Sequence, residues 1–288
     1  MPVQETNNNG RLPDFIVIGA MKAATTSLWK YLRAHPQVFM PDLKEMQFFS
    51  NPGRLGRDLQ WYREQFGPAG DAVSVGEAST NYTKYPRLVG TPERMAAAVP
   101  DVRLVYLVRD PIERIRSHYL HVAYGHAEHR PLVEAVREDP EYVSISRYRM
   151  QIDQYLEHFD ASQLLVVTSE ELKANRKRTM EQVFRFVGVE PALTAPERDR
   201  EVHRTADKRI DTPVMTRLRR LPMSESLRRF TPAPLRRFAS RTVTRPVTAQ
   251  VDATITDELR RQLVEELADD VAGLRPFLGA DFDGWGIA

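Results

Sequence analysis

The stretch that most constrains this chain is DFIVIGAMKAATTSLWKYL, Asp14 to Leu32. An apolar, β-like run passes directly into an amphipathic helical pattern through a turn holding one lysine and three hydroxyl residues. Three more short apolar segments behave alike: 73 to 76, 102 to 108 (VRLVYLV) and 163 to 168 (QLLVVT). Helical patterns lie between and after them at 26 to 34, 58 to 66, 91 to 98, 111 to 124, 146 to 159 and 175 to 187. Strands spaced by helices argue for a parallel sheet covered on both faces, with ligands gathering at the carboxyl ends of the strands. The expected fold class is therefore α/β, three layers with a central parallel sheet flanked by helices.

At 288 residues and 42% hydrophobic, the chain can bury one sizeable core. Residues 1–12 read as a disordered tail and 13–288 as a single domain. Within it, 198–250 reads as a basic insertion of short helices and loops broken by Pro213, Pro222, Pro232, Pro234 and Pro246, and 251–288 as a C-terminal segment packing back on the core, its helix running from about 256 to 277. No apolar run approaches the roughly 18 residues of a membrane span, and the first dozen residues lack the pattern of a signal peptide. The absence of cysteine excludes a disulfide framework, a thiol nucleophile and a thiolate zinc site, and fits a reducing cytoplasm, the compartment expected.

Charge is unevenly spread. Residues 198 to 245 carry fourteen Arg or Lys against five Asp or Glu, whereas 246 to 288 carry three against nine. The basic stretch reads either as the solvated face of short helices, with Leu218, Leu221, Leu227, Phe230, Leu235 and Phe238 packed inward, or as a surface meeting an anionic membrane or acceptor. Aromatic residues are too thinly interleaved there for base stacking, so nucleic acid is not expected as a partner.

The turn after the first strand has the outline of a Walker phosphate loop, G-x-x-x-x-G-K-[ST], with Gly19 after the strand and Thr26 at the last position. Ala24 replaces the second glycine, Thr25 the lysine, and the lysine stands early, at Lys22. Backbone N–H groups of Ala23, Ala24, Thr25, Thr26 and Ser27 would face outward at a helix N-terminus, where unpaired donors and the macrodipole favour an anion. The hydroxyls of Thr25, Thr26 and Ser27 add donors, and Lys22 adds charge. The same hydroxyls also suit an ordinary helix cap.

The third strand candidate ends in RDPIERIRSHYLH, which puts Arg109 at a strand's carboxyl end, Pro111 in the first helical turn and Ser117 two turns in. A phosphate-loop ATPase would place a magnesium-holding carboxylate at such a strand end; here the residue is an anion donor. Asp110 follows, in the Asp-Pro pair that commonly starts helices.

Together GAMKAATTSLWKYL and VYLVRDPIERIRSHY resemble the sulfotransferases that use 3'-phosphoadenosine 5'-phosphosulfate (PAPS), with the heparan sulfate N- and O-sulfotransferase branch nearest. KEMQFF, WYREQF, GEASTNY, SRYRMQIDQYLEHF, LLVVTSEEL and LRPFLGADFDGW extend the likeness over residues 13 to about 190 and the last thirty. Ala24 departs from the family's usual glycine, and Ala78 from a lysine frequent in glycan-modifying relatives, which argues against a simple heparan-like acceptor. The resemblance implies a P-loop-like fold and PAPS as donor, with the 3',5'-bisphosphate PAP as product and no metal required. It implies that Lys22 and the loop from Ala23 to Ser27 hold the 5'-phosphosulfate, that Arg109 and Ser117 hold the 3'-phosphate, and that Glu45 is the general base.

Glu45 lies beside Met46, Phe48 and Phe49, which could desolvate its carboxylate and raise its pKa; alternatively it is half of a surface ion pair with Lys44. Lys44 is expected to line the acceptor side. His121, one turn beyond Ser117, is a second candidate base, and His118 reads as structural. Glu77 either orients a loop or binds acceptor. Trp29, Trp61 and Trp285 read as packing anchors. The function expected is sulfuryl transfer to a hydroxyl, secondarily an amine, of a small-molecule, lipid or carbohydrate acceptor. The competing classes are a nucleotide kinase or ATPase, disfavoured by the displaced lysine, and a non-enzymatic module gripping anions through 198–245.

Overall fold

In the computed structural model, residues 10–51, 57–125, 127–191, 209–211, 244–246 and 251–288 are described. Five parallel strands form one sheet: β1 (Phe15–Gly19), β2 (Val38–Phe39), β3 (Ser74–Ala78), β4 (Arg103–Val108) and β5 (Leu164–Thr168), in the order β2-β3-β1-β4-β5. The fold is the expected α/β arrangement, a central parallel sheet flanked by helices. The two-residue β2 carries no pattern of its own and was invisible to periodicity.

β1 lies in the middle because it can lose all its water. Phe15, Ile16, Val17 and Ile18 are each 0% exposed, and burying such side chains contributes about 1.5–3 kcal/mol apiece. Pairing Phe15 with Gly76 of β3 leaves room for its ring, since a Cβ on Gly76 would lie 2.2 Å from the ring edge.

The chain leaves β1 toward β2 on one side of the sheet and leaves β4 toward β5 on the other. Their carboxyl ends therefore diverge, and the gap between them is the topological switch point where open α/β sheets bind ligands. The first departing segment leads into α1 (Thr25–Arg33). After α2 (Leu59–Glu64) and α3 (Thr91–Ala98), the second leads into α4 (Pro111–Tyr124). Next come α5 (Leu132–Glu138), α6 (Glu141–Ser144), α7 (Tyr148–Leu156), α8 (Ser169–Ala174) and α9 (Arg176–Phe186).

The expected final helix is two: α10 (Asp257–Ala272) and α11 (Arg275–Leu278). Gly273 ends the first, and Pro276, which cannot donate to a preceding turn, opens the second. Leu259, Leu263, Leu267 and Val271, spaced to share one face of α10, are buried with Ile112, Ile115, Tyr119 and Ala123 of α4 in a second apolar cluster beside the main core. No helix among the described residues is long and apolar enough to cross a membrane.

Order begins earlier than expected. Arg11 donates from Nη1 to the Ala72 carbonyl at 2.7 Å and from Nη2 to Asp14 at 2.7 Å, so the last part of the predicted 1–12 tail is fastened. In the basic stretch, β6 (Arg209–Asp211) and β7 (Thr244–Pro246) pair antiparallel where short helices or loops were expected. The remainder of 198–250, with its six apolar residues, its proposed packing and its membrane contact, lies outside the described residues.

Candidate active site

The loop between β1 and α1 is shaped by two constraints. Thr83, donating its hydroxyl to the Ile18 carbonyl at 3.2 Å, sits so close that a Cβ on Gly19 would fall 2.1 Å from its oxygen, hence the glycine. Beyond it, Lys22 (φ 74) and Ala24 (φ 68) both adopt left-handed backbone. Such conformations cost a non-glycine residue about 1–2 kcal/mol, so Ala24 follows a path a glycine would follow at lower cost.

Ala24 is the N-cap of α1 and has no side-chain oxygen to give, so the capping role open to the hydroxyls is not taken up. The outward donors are fewer than the sequence suggests. Ala23 N–H turns back to the Ala20 carbonyl (3.1 Å) and Ser27 N–H to Ala24 (2.9 Å), because the tight turn and the first helical turn use them. Among the described residues, the N–H groups of Ala24, Thr25 and Thr26 make no hydrogen bond within the protein. With no acidic residue in the first turn of α1, the helix end is left electropositive. Thr25 is buried, and Thr26 and Ser27 are half-buried.

Arg109 emerges from the end of β4 beside this loop. Its Nη1 reaches the Lys22 carbonyl at 3.5 Å, and its Nη2 lies 3.6 Å from Glu113. Its own carbonyl accepts the Tyr148 hydroxyl at 2.7 Å, which fixes the backbone from which the guanidinium springs. Asp110 is occupied as a cap, accepting from Ile112 N–H (2.8 Å) and Glu113 N–H (3.1 Å). Ser117 is half-buried on α4. An electropositive helix end and an arginine side chain thus lie side by side at the ends of β1 and β4.

Beside the end of β3, the loop of residues 44–47 carries Glu45 (φ 63) and Gln47 (φ 56), again in left-handed backbone. One Glu45 oxygen, Oε2, accepts Thr80 N–H at 2.7 Å and the Thr80 hydroxyl at 3.1 Å, while Oε1 is paired with Lys44. The expected enclosure by Met46, Phe48 and Phe49 does not reach this group: its side chain keeps 30% exposure, Phe48 stacks instead on Tyr62 at 4.5 Å, and Phe49 meets the same ring edge-on at 5.2 Å. Lys44 is tied to Glu45, as the ion-pair alternative had it.

The carboxylate that is desolvated is Glu77, 1% exposed. Burial raises its pKa, and hydrogen bonds from Tyr82, Ser79 and Tyr62 pull it part of the way back. Glu77 accordingly cannot meet an acceptor; of its two readings, the structure retains loop orientation.

The two histidines of α4 differ in burial. His121 is exposed, whereas His118 is buried against Tyr142, ring centroids 4.7 Å apart. Burial drives the His118 pKa down to about 2, and the charges of Arg114, Lys84, His121 and Lys22 add to the effect. It is a neutral imidazole at working pH. Arg114, 0% exposed, donates to Ser146 and to the Tyr142 carbonyl; burial lowers its pKa to about 10, leaving it charged. Lys84 lies within electrostatic reach of His118 and Glu45, paired with Glu141 at 3.8 Å, and burial lowers its pKa.

Arg114, Lys84 and Tyr148 were not singled out from the sequence. Arg114 could have been, four residues before His118 and bordering the apolar stripe of α4; Lys84 gives no local signal. The tryptophans are anchors: Trp61 packs on Phe48 at 6.4 Å with Arg57 over its ring, and Trp285 on Tyr148 at 6.1 Å, while Trp29 carries Arg33 over its ring.

Comparison with known proteins adds a family. The model of the sulfotransferase domain matches residues 12–226. Over 201 residues the chain is 28% identical to the bifunctional heparan sulfate N-deacetylase/N-sulfotransferase 4 of Mus musculus, a match taking in 62% of this chain and only 23% of that protein's length. Over 111 residues it is 37% identical to the membrane-associated sulfotransferase kil1 of Dictyostelium discoideum, covering 38% of this chain and 22% of that protein. Among solved structures, a sulfotransferase from Alicyclobacillus acidocaldarius superposes with a TM-score of 0.67 at 24% identity, covering 96% of this chain and 99% of the other, which speaks for the fold.

Proposed function

The chain belongs to the sulfotransferase domain family, and on that premise we propose that it transfers a sulfuryl group from PAPS to an acceptor hydroxyl, with an amine as the secondary candidate. The observation that carries this is the meeting of two anion-binding elements at the switch point, with Arg109 Nη1 3.5 Å from the Lys22 carbonyl. A nucleotide charged at both its 5' and 3' positions needs two such sites side by side. ATP needs one, plus a metal-holding carboxylate, and Asp110 at this strand end is already spent on capping α4.

The N–H groups of Ala24 to Thr26, which find no partner among the described residues, fit the 5' end together with Lys22; Arg109 and Ser117 fit the 3'-phosphate. PAPS, when bound, supplies a sulfuryl group activated by its bond to a phosphate oxygen. Lys22 offsets the charge that collects on that oxygen as the bond breaks. Glu45 takes the acceptor's proton, its Oε2 oriented by Thr80 and its Oε1 by Lys44. The acceptor belongs to the small-molecule, lipid or carbohydrate class, met in the cytoplasm or at an anionic membrane surface touched by the basic 198–245 stretch.

The test is incubation with sulfur-labelled PAPS and cell extract, parent against Glu45→Gln. Labelled product should fall by about 10² to 10⁴ in rate while PAP affinity stays within a few-fold, because loss of a general base acts on the transition state alone. If His121→Asn proves more damaging and Glu45→Gln stays near the parent, the base is reassigned. Tighter binding of ATP-magnesium than of PAP sinks the sulfotransferase reading.

A further inference from the structure

Glu77 stands at the end of β3 among aromatic rings, with no cation paired to it among the described residues. Removing such a group would leave the buried hydroxyls that donate to it without an acceptor, so what it does is hold and orient them. Its Oε1 accepts the Tyr62 hydroxyl at 2.9 Å and the Tyr82 hydroxyl at 2.6 Å; its Oε2 accepts the Ser79 hydroxyl at 2.8 Å. Because the Ser79 proton is committed to Glu77, the lone pairs of Ser79 Oγ are aimed elsewhere, and one accepts Gln47 N–H at 3.0 Å.

Gln47 and Glu45 both hold left-handed backbone, which persists only where the surroundings over-determine it. The determinants come from four consecutive residues. Glu45 N–H donates to the Ala78 carbonyl at 3.0 Å, Thr80 holds the Glu45 carboxylate, and Ser79, held by Glu77, pins Gln47.

We propose that Glu77 is a positioning residue that acts through Ser79 to set the loop of residues 44–47, and with it the direction in which Glu45 faces the acceptor. The proposal rests on the assignment of Glu45 as base. It makes the segment Glu77–Thr80 part of the proton-transfer apparatus although Glu77 itself touches no substrate.

The test uses the full chain. Ser79→Ala should lower kcat by about 10- to 100-fold, the scale of a slight misplacement of a reacting group, while PAP affinity stays within about twofold. Glu77→Gln, whose single amide oxygen cannot accept both from Ser79 and from the two tyrosines as the separate carboxylate oxygens do, should act alike, and the double variant should be no worse than either single one. Hydrogen exchange at Gln47 N–H should quicken by at least about fivefold in Ser79→Ala. In a Glu45→Gln background, Ser79→Ala should change kcat by less than about twofold, since the group being positioned is gone.

Equal losses in both backgrounds, a parental kcat in Ser79→Ala, or unchanged Gln47 exchange overturns the proposal. Failure of the base assignment is read separately, from Glu45→Gln alone retaining parental turnover.

Discussion

Exposure sorts the polar side chains of this molecule into two layers. In the upper one, along the crevice, Arg109 and Glu45 each keep 30% of their side-chain surface exposed, and they stand beside backbone forced into left-handed conformations. In the lower one, Glu77, Arg114 and His118 are 1%, 0% and 6% exposed, on ordinary strand and helix, and each has its proton affinity displaced by burial. Displaced pKa values commonly flag catalytic groups. Here they mark the supporting layer, and the groups that a substrate can touch lie above it. A search for reactive residues by protonation alone would descend one layer too far.

The sharpest way to break this comparison is to empty one position of the upper layer. Lys22→Ala should cut turnover by about 10³-fold, on the scale of losing a preorganised charge at the leaving oxygen, while the thermal midpoint moves little because no core packing is lost. A large fall in the midpoint, or near-normal activity, would place Lys22 in the lower layer after all.

A mid-sized effect is expected from His118, through pH. Its folded pKa, about 2, lies below the unfolded value near 6.5, so the unfolded chain binds the extra proton. The contribution of this group is fully present above about pH 6.5 and is lost as pH falls below it, at up to roughly 1.4 kcal/mol per pH unit. Comparing denaturant unfolding of His118→Gln and parent between pH 7 and pH 5 should show a shallower decline in the variant by about 1–2 kcal/mol. Parallel curves would mean His118 is protonated in the fold.

The smallest effect sharpens the picture of the loop. Ala24→Gly should stabilise the protein by about 0.5–1 kcal/mol, because glycine adopts the left-handed cap without penalty. Destabilisation would mean the path of the loop differs from φ 68 at this residue.

Much of this arrangement was legible in advance, for identifiable reasons. Helix α3 and helix α4 begin and end where capping and periodicity put them, Thr91–Ala98 and Pro111–Tyr124, since Pro and the Asp-Pro pair are local signals. The places of Lys22 and Arg109 were readable because each follows closely on the end of an apolar strand. What escaped depends on distant partners. Nothing near Glu45 reveals that Phe48 and Phe49 turn toward Tyr62, leaving the desolvated carboxylate to be Glu77. Nor does α4 alone show which ring covers His118; Tyr142 on another helix does. Strand β2 is held by the neighbouring strand, with no pattern of its own.

One contact links the far end of the described chain to the crevice. Trp285 packs on Tyr148, and Tyr148 holds the Arg109 carbonyl. During synthesis, the loops around Lys22 and Arg109 leave the ribosome long before Trp285 does. A nascent chain therefore carries Arg109 on a backbone whose clasp lacks its outer support until the segment around Trp285 has docked. A bulky fusion placed just behind that segment would loosen the backbone that carries Arg109, although nothing near Arg109 had been altered.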